Sequence, residues 1–196
     1  MKAATISPDG LPVLAFANDA AWEKWLARNH GKSSGVWIEI AKVATGKASV
    51  SYSEAVNTAL CHGWIDGQKR GGEKTWVQKF APRGPRSLWS KLNRARVDDL
   101  RKAGRMTEAG EAEVARAKKD GRWEAAYDSP KTSIVPPDFQ AALAKSKTAA
   151  AFFAGLNGAN RYAILWRIQT AKKTETRARR IADLTAMLKR KEKLHP

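Results

Sequence analysis

The feature that most constrains the fold is a change of period at Pro82 and Pro85. Upstream of these prolines the chain alternates short strand-like and helix-like stretches; downstream it reads as helix almost to its end. Residues 64–70 (WIDGQKR) and 75–80 (TWVQKF) flank Gly71-Gly72, a hairpin pattern in which glycine supplies the positive φ of a tight turn. Residues 35–43 (GVWIEIAKV) predict another strand, with Val36, Ile38 and Ile40 on one face and Trp37, Glu39 and Ala41 on the other. Two helices are predicted among the strands. One covers 18–29, capped by Asn18 or Asp19, with Trp22, Trp25 and Leu26 on one face. The other is capped by Ser53, carries Ala55, Val56, Ala59 and Leu60, and ends near Gly63. The expectation is an α+β fold: a small antiparallel sheet of about three strands packed on helices, followed by a helical C-terminal part.

Beyond the prolines, Ser87 is expected to cap a helix over 88–103 whose stripe is Trp89, Asn93, Val97 and Leu100. A second helix is expected over 107–120, with Thr107 and Glu108 at its start and Lys118 and Lys119 at its end, as the helix dipole prefers. Residues 128–137 hold three prolines and read as a connection. Helices over 138–145, 147–155, 160–172 and 175–193 follow, the last with Ile181, Leu184 and Leu188 opposite a basic face and a fraying KRKEK tail. The domain reading is an extended or mobile leader (1–12), an α+β core (13–127) and a helical part (128–196).

Eight tryptophans in 196 residues supply anchors for that core. No apolar run approaches the roughly 20 residues of a membrane-spanning helix. Pro8 and Pro12 interrupt the apolar patch near the start, which makes a poor secretory signal, and a single cysteine, Cys61, excludes an internal disulfide. A cytoplasmic location is the resulting expectation.

The net charge of +17 is unevenly distributed. Residues 1–67 hold 6 basic and 6 acidic side chains, and residues 106–159 hold 7 of each. Residues 68–105 hold 12 and 3, and residues 160–196 hold 11 and 3, so these two blocks contain the whole excess. Such blocks suit either a polyanionic partner or a basic solvated surface.

Three motifs, Gly63-Trp64-Ile65-Asp66, Phe80-Ala81-Pro82-Arg83 and Ser87-Leu88-Trp89-Ser90 with Asn93, resemble the signature run of the YdeI/OmpD-associated family. Gly121-Arg122-Trp123 and Ala171-Lys172-Lys173-Thr174-Glu175-Thr176-Arg177 resemble that family's helical C-terminal part. The resemblance spans most of residues 14–190. It implies an α+β N-terminal part followed by helices, and a role in stress protection against bacteriocins or cationic antimicrobial peptides, with a link to an outer-membrane porin. It implies no catalytic residue. A strongly cationic chain repels cationic peptides, so protection by direct sequestration is disfavoured on charge alone.

Within this run, Trp64, Asp66, Arg83, Arg86, Trp89, Ser90 and Asn93 combine aromatic faces, a carboxylate and two guanidiniums. Arginine suits bidentate binding of carboxylate or phosphate, and indole suits stacking, so these residues form the candidate recess for a small anionic ligand or a partner protein. The structural alternative places both indoles in the core and lets Asp66 pair with Arg83 or cap a helix. Lys91, Arg94 and Arg101, with Arg177, Arg179 and Arg180, form a candidate phosphate-contacting surface for weak, sequence-independent nucleic-acid binding. An enzyme with Asp66 as acid or base, assisted by His62, is a third reading. The three histidines are dispersed and no cofactor fingerprint occurs, so neither a metal nor a cofactor is expected.

Overall fold

A computed structural model describes residues 5–196. It divides into two compact units, one containing the residues up to Leu88 together with Asn93–Glu124, the other Trp89–Leu92 and Ala125–Pro196. Of the expected leader, residues 1–4 lie outside the described residues.

The first unit is built on a five-stranded sheet of order β1-β2-β3-β5-β4. Its strands are β1 (Thr5–Ile6), β2 (Pro12–Ala15), β3 (Val36–Ala41), β4 (Trp64–Arg70) and β5 (Thr75–Pro82). The three expected strands pair antiparallel, with Val36 opposite Phe80 and Trp64 opposite Pro82. The segment read as a leader extends this sheet: β1 runs antiparallel to β2, and β2 runs parallel to β3, so the sheet is mixed and larger than expected. The crossover between β2 and β3 is α1 (Asp19–Asn29), capped by the Asn18 side chain. The helix α2 (Tyr52–Cys61) begins two residues before the expected site. Ser51, not Ser53, is its cap, because Glu54 stands three residues on and completes a capping box.

Trp37, on the sheet face opposite Val36 and Ile38, is fully buried as well. Its indole Nε1 donates to Asp9 at 2.9 Å, and the Arg70 guanidinium covers the ring at 4.3 Å. Asp9 also accepts from Lys79 and Ser7, and these donors hold its carboxyl well below the ordinary range. The turn between β4 and β5 needs glycine for space rather than for φ. Neither Gly71 nor Gly72 has positive φ, but a Cβ on Gly72 would lie 2.4 Å from the Thr75 carbonyl oxygen.

The helix α3 (Lys91–Lys102) starts later than predicted. The Ser87 hydroxyl accepts from the Gly84 amide and closes a turn there, so it caps no helix. The following helix, α4 (Glu108–Lys119), lies where expected, and Thr107, read as its first residue, is its cap.

The second unit contains α5 (Pro137–Ala144), α6 (Lys147–Ala154), α7 (Gly158–Gln169) and α8 (Thr174–Lys189). Phe139, Leu143, Phe153, Ile164, Ile168, Ile181, Leu184 and Leu188 fill its core, with the Phe139 and Phe153 rings edge to face at 5.3 Å. Trp89–Leu92 joins this unit through Ser90, which bridges in parallel to Tyr127. The end of the chain is tied down rather than frayed, since the buried Asn160 side chain accepts from the Leu194 and His195 amides.

Candidate functional site

The residues expected to form one recess are divided between the two units. Trp64, Asp66, Arg83, Arg86 and Asn93 belong to the first, and Trp89 and Ser90 to the second. Their burial follows the structural alternative. Trp64, Arg83, Trp89, Ser90 and Asn93 are all buried, and Trp64 is 1% exposed.

The Trp64 indole donates to the His30 carbonyl and stands edge-on to Trp22 and Trp25 at 6.3 and 5.9 Å. With Phe16 and Phe80 these rings make the aromatic heart of the first unit. An indole so enclosed has no free face for stacking. Arg83 donates to the Leu88 carbonyl at 3.1 Å, and its backbone amide bonds Gly63. Asp66 is half-buried and accepts from the Tyr52 hydroxyl at 2.7 Å. Arg86 is exposed in the turn before α3.

The candidate phosphate-contacting surface is largely occupied from within. Lys91 pairs with Asp128 at 2.8 Å. Arg94 donates to the Trp123 carbonyl and lies over its ring at 5.1 Å. Arg101 forks onto both oxygens of Glu111, which raises its own pKa and lowers that of the glutamate. Arg177 makes a similar fork with Asp138 and also donates to the Ile168 carbonyl, while Arg180 donates to the Arg167 carbonyl. Arg179 is exposed. The charge excess seen in sequence is therefore larger than the charge left free for phosphate.

The second unit carries an open, largely apolar groove between α5 and α8, with a volume of about 530 Å³. Ala142 of α5 and Ala178, Ala182 and Ala186 of α8 floor it together with Ile181 and Thr185. The alanines of α8 recur at intervals of four, so they share one face of the helix. Lys145 and Lys189 stand on its border, both exposed, and the Arg177–Asp138 pair closes another part of the wall. That pair holds the Asp138 carboxyl below its ordinary range, with the Phe139 amide adding to the effect. The alanine spacing of α8 is the sequence signal for this groove, and Leu184 and Leu188 mark the core face of the same helix.

A second cavity of the same unit, about 750 Å³, lies beside α7 and is lined in part by Tyr127, Tyr162 and Trp166. Tyr162 donates to the Asp128 carbonyl, and burial pushes its phenol up to about 12.

Residues 14–113 match the family model of a domain of unknown function, DUF8412. That match covers just over half of the chain, which therefore belongs to this family. Residues 132–191 match a second family model, described as bacteriocin-protection, YdeI or OmpD-associated, and the chain carries that segment as its helical C-terminal part. The α5–α8 groove lies wholly inside the second match. The motifs around Trp64 and Phe80 lie inside the first, and Gly121-Arg122-Trp123 lies between the two. No curated protein and no solved structure matches the chain.

Proposed function

We propose that this is a non-enzymatic protection protein that acts by docking an acidic, amphipathic helix of a partner protein in the groove between α5 and α8. The observation that carries this reading is the pairing of an alanine floor with a lysine border inside the bacteriocin-protection segment. Alanine at 142, 178, 182 and 186 leaves room for the larger apolar side chains of an incoming helix. Lys145 and Lys189 complement carboxylates at its edge and disfavour a cationic occupant. The cationic peptide is thus not the cargo, and protection runs through the partner. The reading places the protein in the cytoplasm, and among the described residues no helix is long and apolar enough to cross a membrane.

The test is survival of bacterial cells challenged with a cationic bacteriocin while expressing the chain or its variants. Ala182→Glu and the double change Lys145→Glu with Lys189→Glu should abolish protection while circular dichroism stays unchanged. Lys118→Glu, on α4 of the first unit, should retain it. In vitro, a fluorescent helical peptide of leucine and glutamate should bind the wild-type chain with an affinity that falls as salt rises. Full protection from a correctly folded Ala182→Glu protein would overturn the reading.

A further inference from the structure

A cavity of about 540 Å³ in the first unit is lined by Ala27 of α1, His30 just past its end, His62 at the end of α2, and Thr107, Glu108, Ala109 and Ala112 at the start of α4. Two glycines bring these elements together. Gly110 lies so close to the end of α2 that a Cβ there would sit 2.3 Å from the Cys61 carbonyl oxygen. Gly63 has φ +74°, and a Cβ on it would lie 2.9 Å from the Ala109 carbonyl oxygen. The Thr107 hydroxyl donates to the Cys61 carbonyl at 2.6 Å and fixes the same junction. The first turn of α4, a helix of 12 residues, therefore lines the cavity next to His62.

His62 is 5% exposed, and neither of its ring nitrogens has a hydrogen-bond partner among the described residues. A buried imidazole with two unanswered nitrogens is costly unless something else supplies the bonds. The His30 ring lies 5.4 Å away, and its Nδ1 is already engaged by the Leu26 carbonyl. Burial acts most strongly on His62, then His30 and Arg105, and all three disfavour its protonation. Arg105 is held by Asp19, Glu108 is exposed, and Glu113 pairs with Arg116. A metal is a poor occupant, because no group of three or more His, Cys, Asp or Glu suited to one occurs among the described residues. An anion answers both features, since it accepts from imidazole and from the free amides at a helix N-terminus. The alanine walls call for an apolar body behind the anionic group.

We infer that the cavity between α1, α2 and α4 binds small carboxylates with an apolar body, anchored by His62 and the first turn of α4. This is independent of the groove in the second unit. The bound anion favours protonation of His62, so affinity rises as the pH falls toward and below the ordinary imidazole range.

The probe is benzoate, titrated into the full chain while the C2 protons of His30, His62 and His195 are followed by NMR. His62 and His30 should shift saturably and His195 should not, with affinity about fivefold or more higher at pH 5.5 than at pH 8. Two variants separate the site from the fold. His62→Phe keeps a ring but removes both nitrogens, and Ala112→Trp blocks the cavity while leaving His62 in place. Each should weaken binding about tenfold or more, and Ala112→Trp should do so with a native melting curve. No saturable shift at His62, undiminished binding in Ala112→Trp, or a response of the histidine pair to Zn²⁺ but not to benzoate would each overturn the assignment.

Discussion

The two units treat their conspicuous residues in opposite ways. Six of the eight tryptophans lie in the first unit, and there the indole N–H groups of Trp22, Trp37 and Trp64 are tied to Ala55, Asp9 and His30, partners distant in sequence. Arg105 reaches Asp19 and Thr58 in the same manner. The second unit packs phenylalanine and aliphatic residues among its four helices and leaves a face of small residues uncovered. Residues with the most chemistry per side chain thus hold the first unit together. The floor of the second unit's groove is made mainly by alanines, which have almost none, and its charged residues stand at the border. Large aromatic and arginine side chains mark a binding surface only where their polar atoms are free, and here most are satisfied internally.

The sharpest way to break this contrast is at the glycines. Gly110→Ala forces a methyl group into the Cys61 carbonyl, where rigid backbone cannot yield, and should cost about 3 kcal/mol or more. Urea denaturation followed by tryptophan fluorescence reports mainly the first unit and should show the loss. In the second unit, Ala182→Leu adds a larger side chain on the exposed groove face and should change stability by less than about 0.5 kcal/mol. Equal effects of the two would mean that the groove is packed interior. Phe139→Ala, in the core directly behind that surface, should cost about 3–5 kcal/mol, as measured by helical circular dichroism.

The sequence made much of the fold legible. The periodicity of α1, the hairpin around Gly71-Gly72 and the start of α4 near Thr107 depend on neighbours within a few residues, and each was readable. Much of what was missed depends on distant partners. β1 and β2 are too short to show alternation and are strands because β3 accepts β2 in parallel. Trp37 lay on the face shared with Glu39, and its burial there goes with partners far along the chain, Asp9 on the indole N–H and Arg70 over the ring. The surroundings of the candidate site were hidden for the same reason: composition told that Trp64, Asp66 and Arg83 were chemically capable, but not that backbone carbonyls and the Tyr52 hydroxyl engage them. The glycine–tryptophan motif at Gly63-Trp64 does carry a physical meaning. The glycine admits α4 at close range, and the indole locks α1 to the sheet.

A pH titration sharpens the contrast from the side of the histidine. Burial, with His30 and Arg105 nearby, lowers the folded-state pKa of His62 from its ordinary 6.5. The unfolded chain therefore binds this proton more readily than the folded one, and stability rises with pH through the interval between the lowered value and 6.5. Without a carboxylate ligand, the first unit should lose stability as the pH falls through that interval and level off below it. His62→Phe should flatten the slope, and benzoate should reduce it in the wild type. A wild-type slope of the opposite sign would mean that His62 has a partner that favours its charged form.

The smallest expected effect separates satisfied from free arginine. Arg101 forks onto Glu111, but both side chains are about one-third exposed or more, so Arg101→Ala should cost only about 0.2–1 kcal/mol, with most of that loss screened at high salt. Arg179→Ala, at an exposed position of α8, should be neutral in stability. The same two variants discriminate the reading of the charge blocks. If a polyanion met the helices indiscriminately, each substitution would weaken its binding by a similar factor and reduce the salt slope by about one. With Arg101 neutralised by its glutamate, only Arg179→Ala should change the weak retention of the chain on a heparin column. Equal shifts in elution would mean that the ion pair opens readily to an outside anion, and that the first unit's arginines are as available as those of the second.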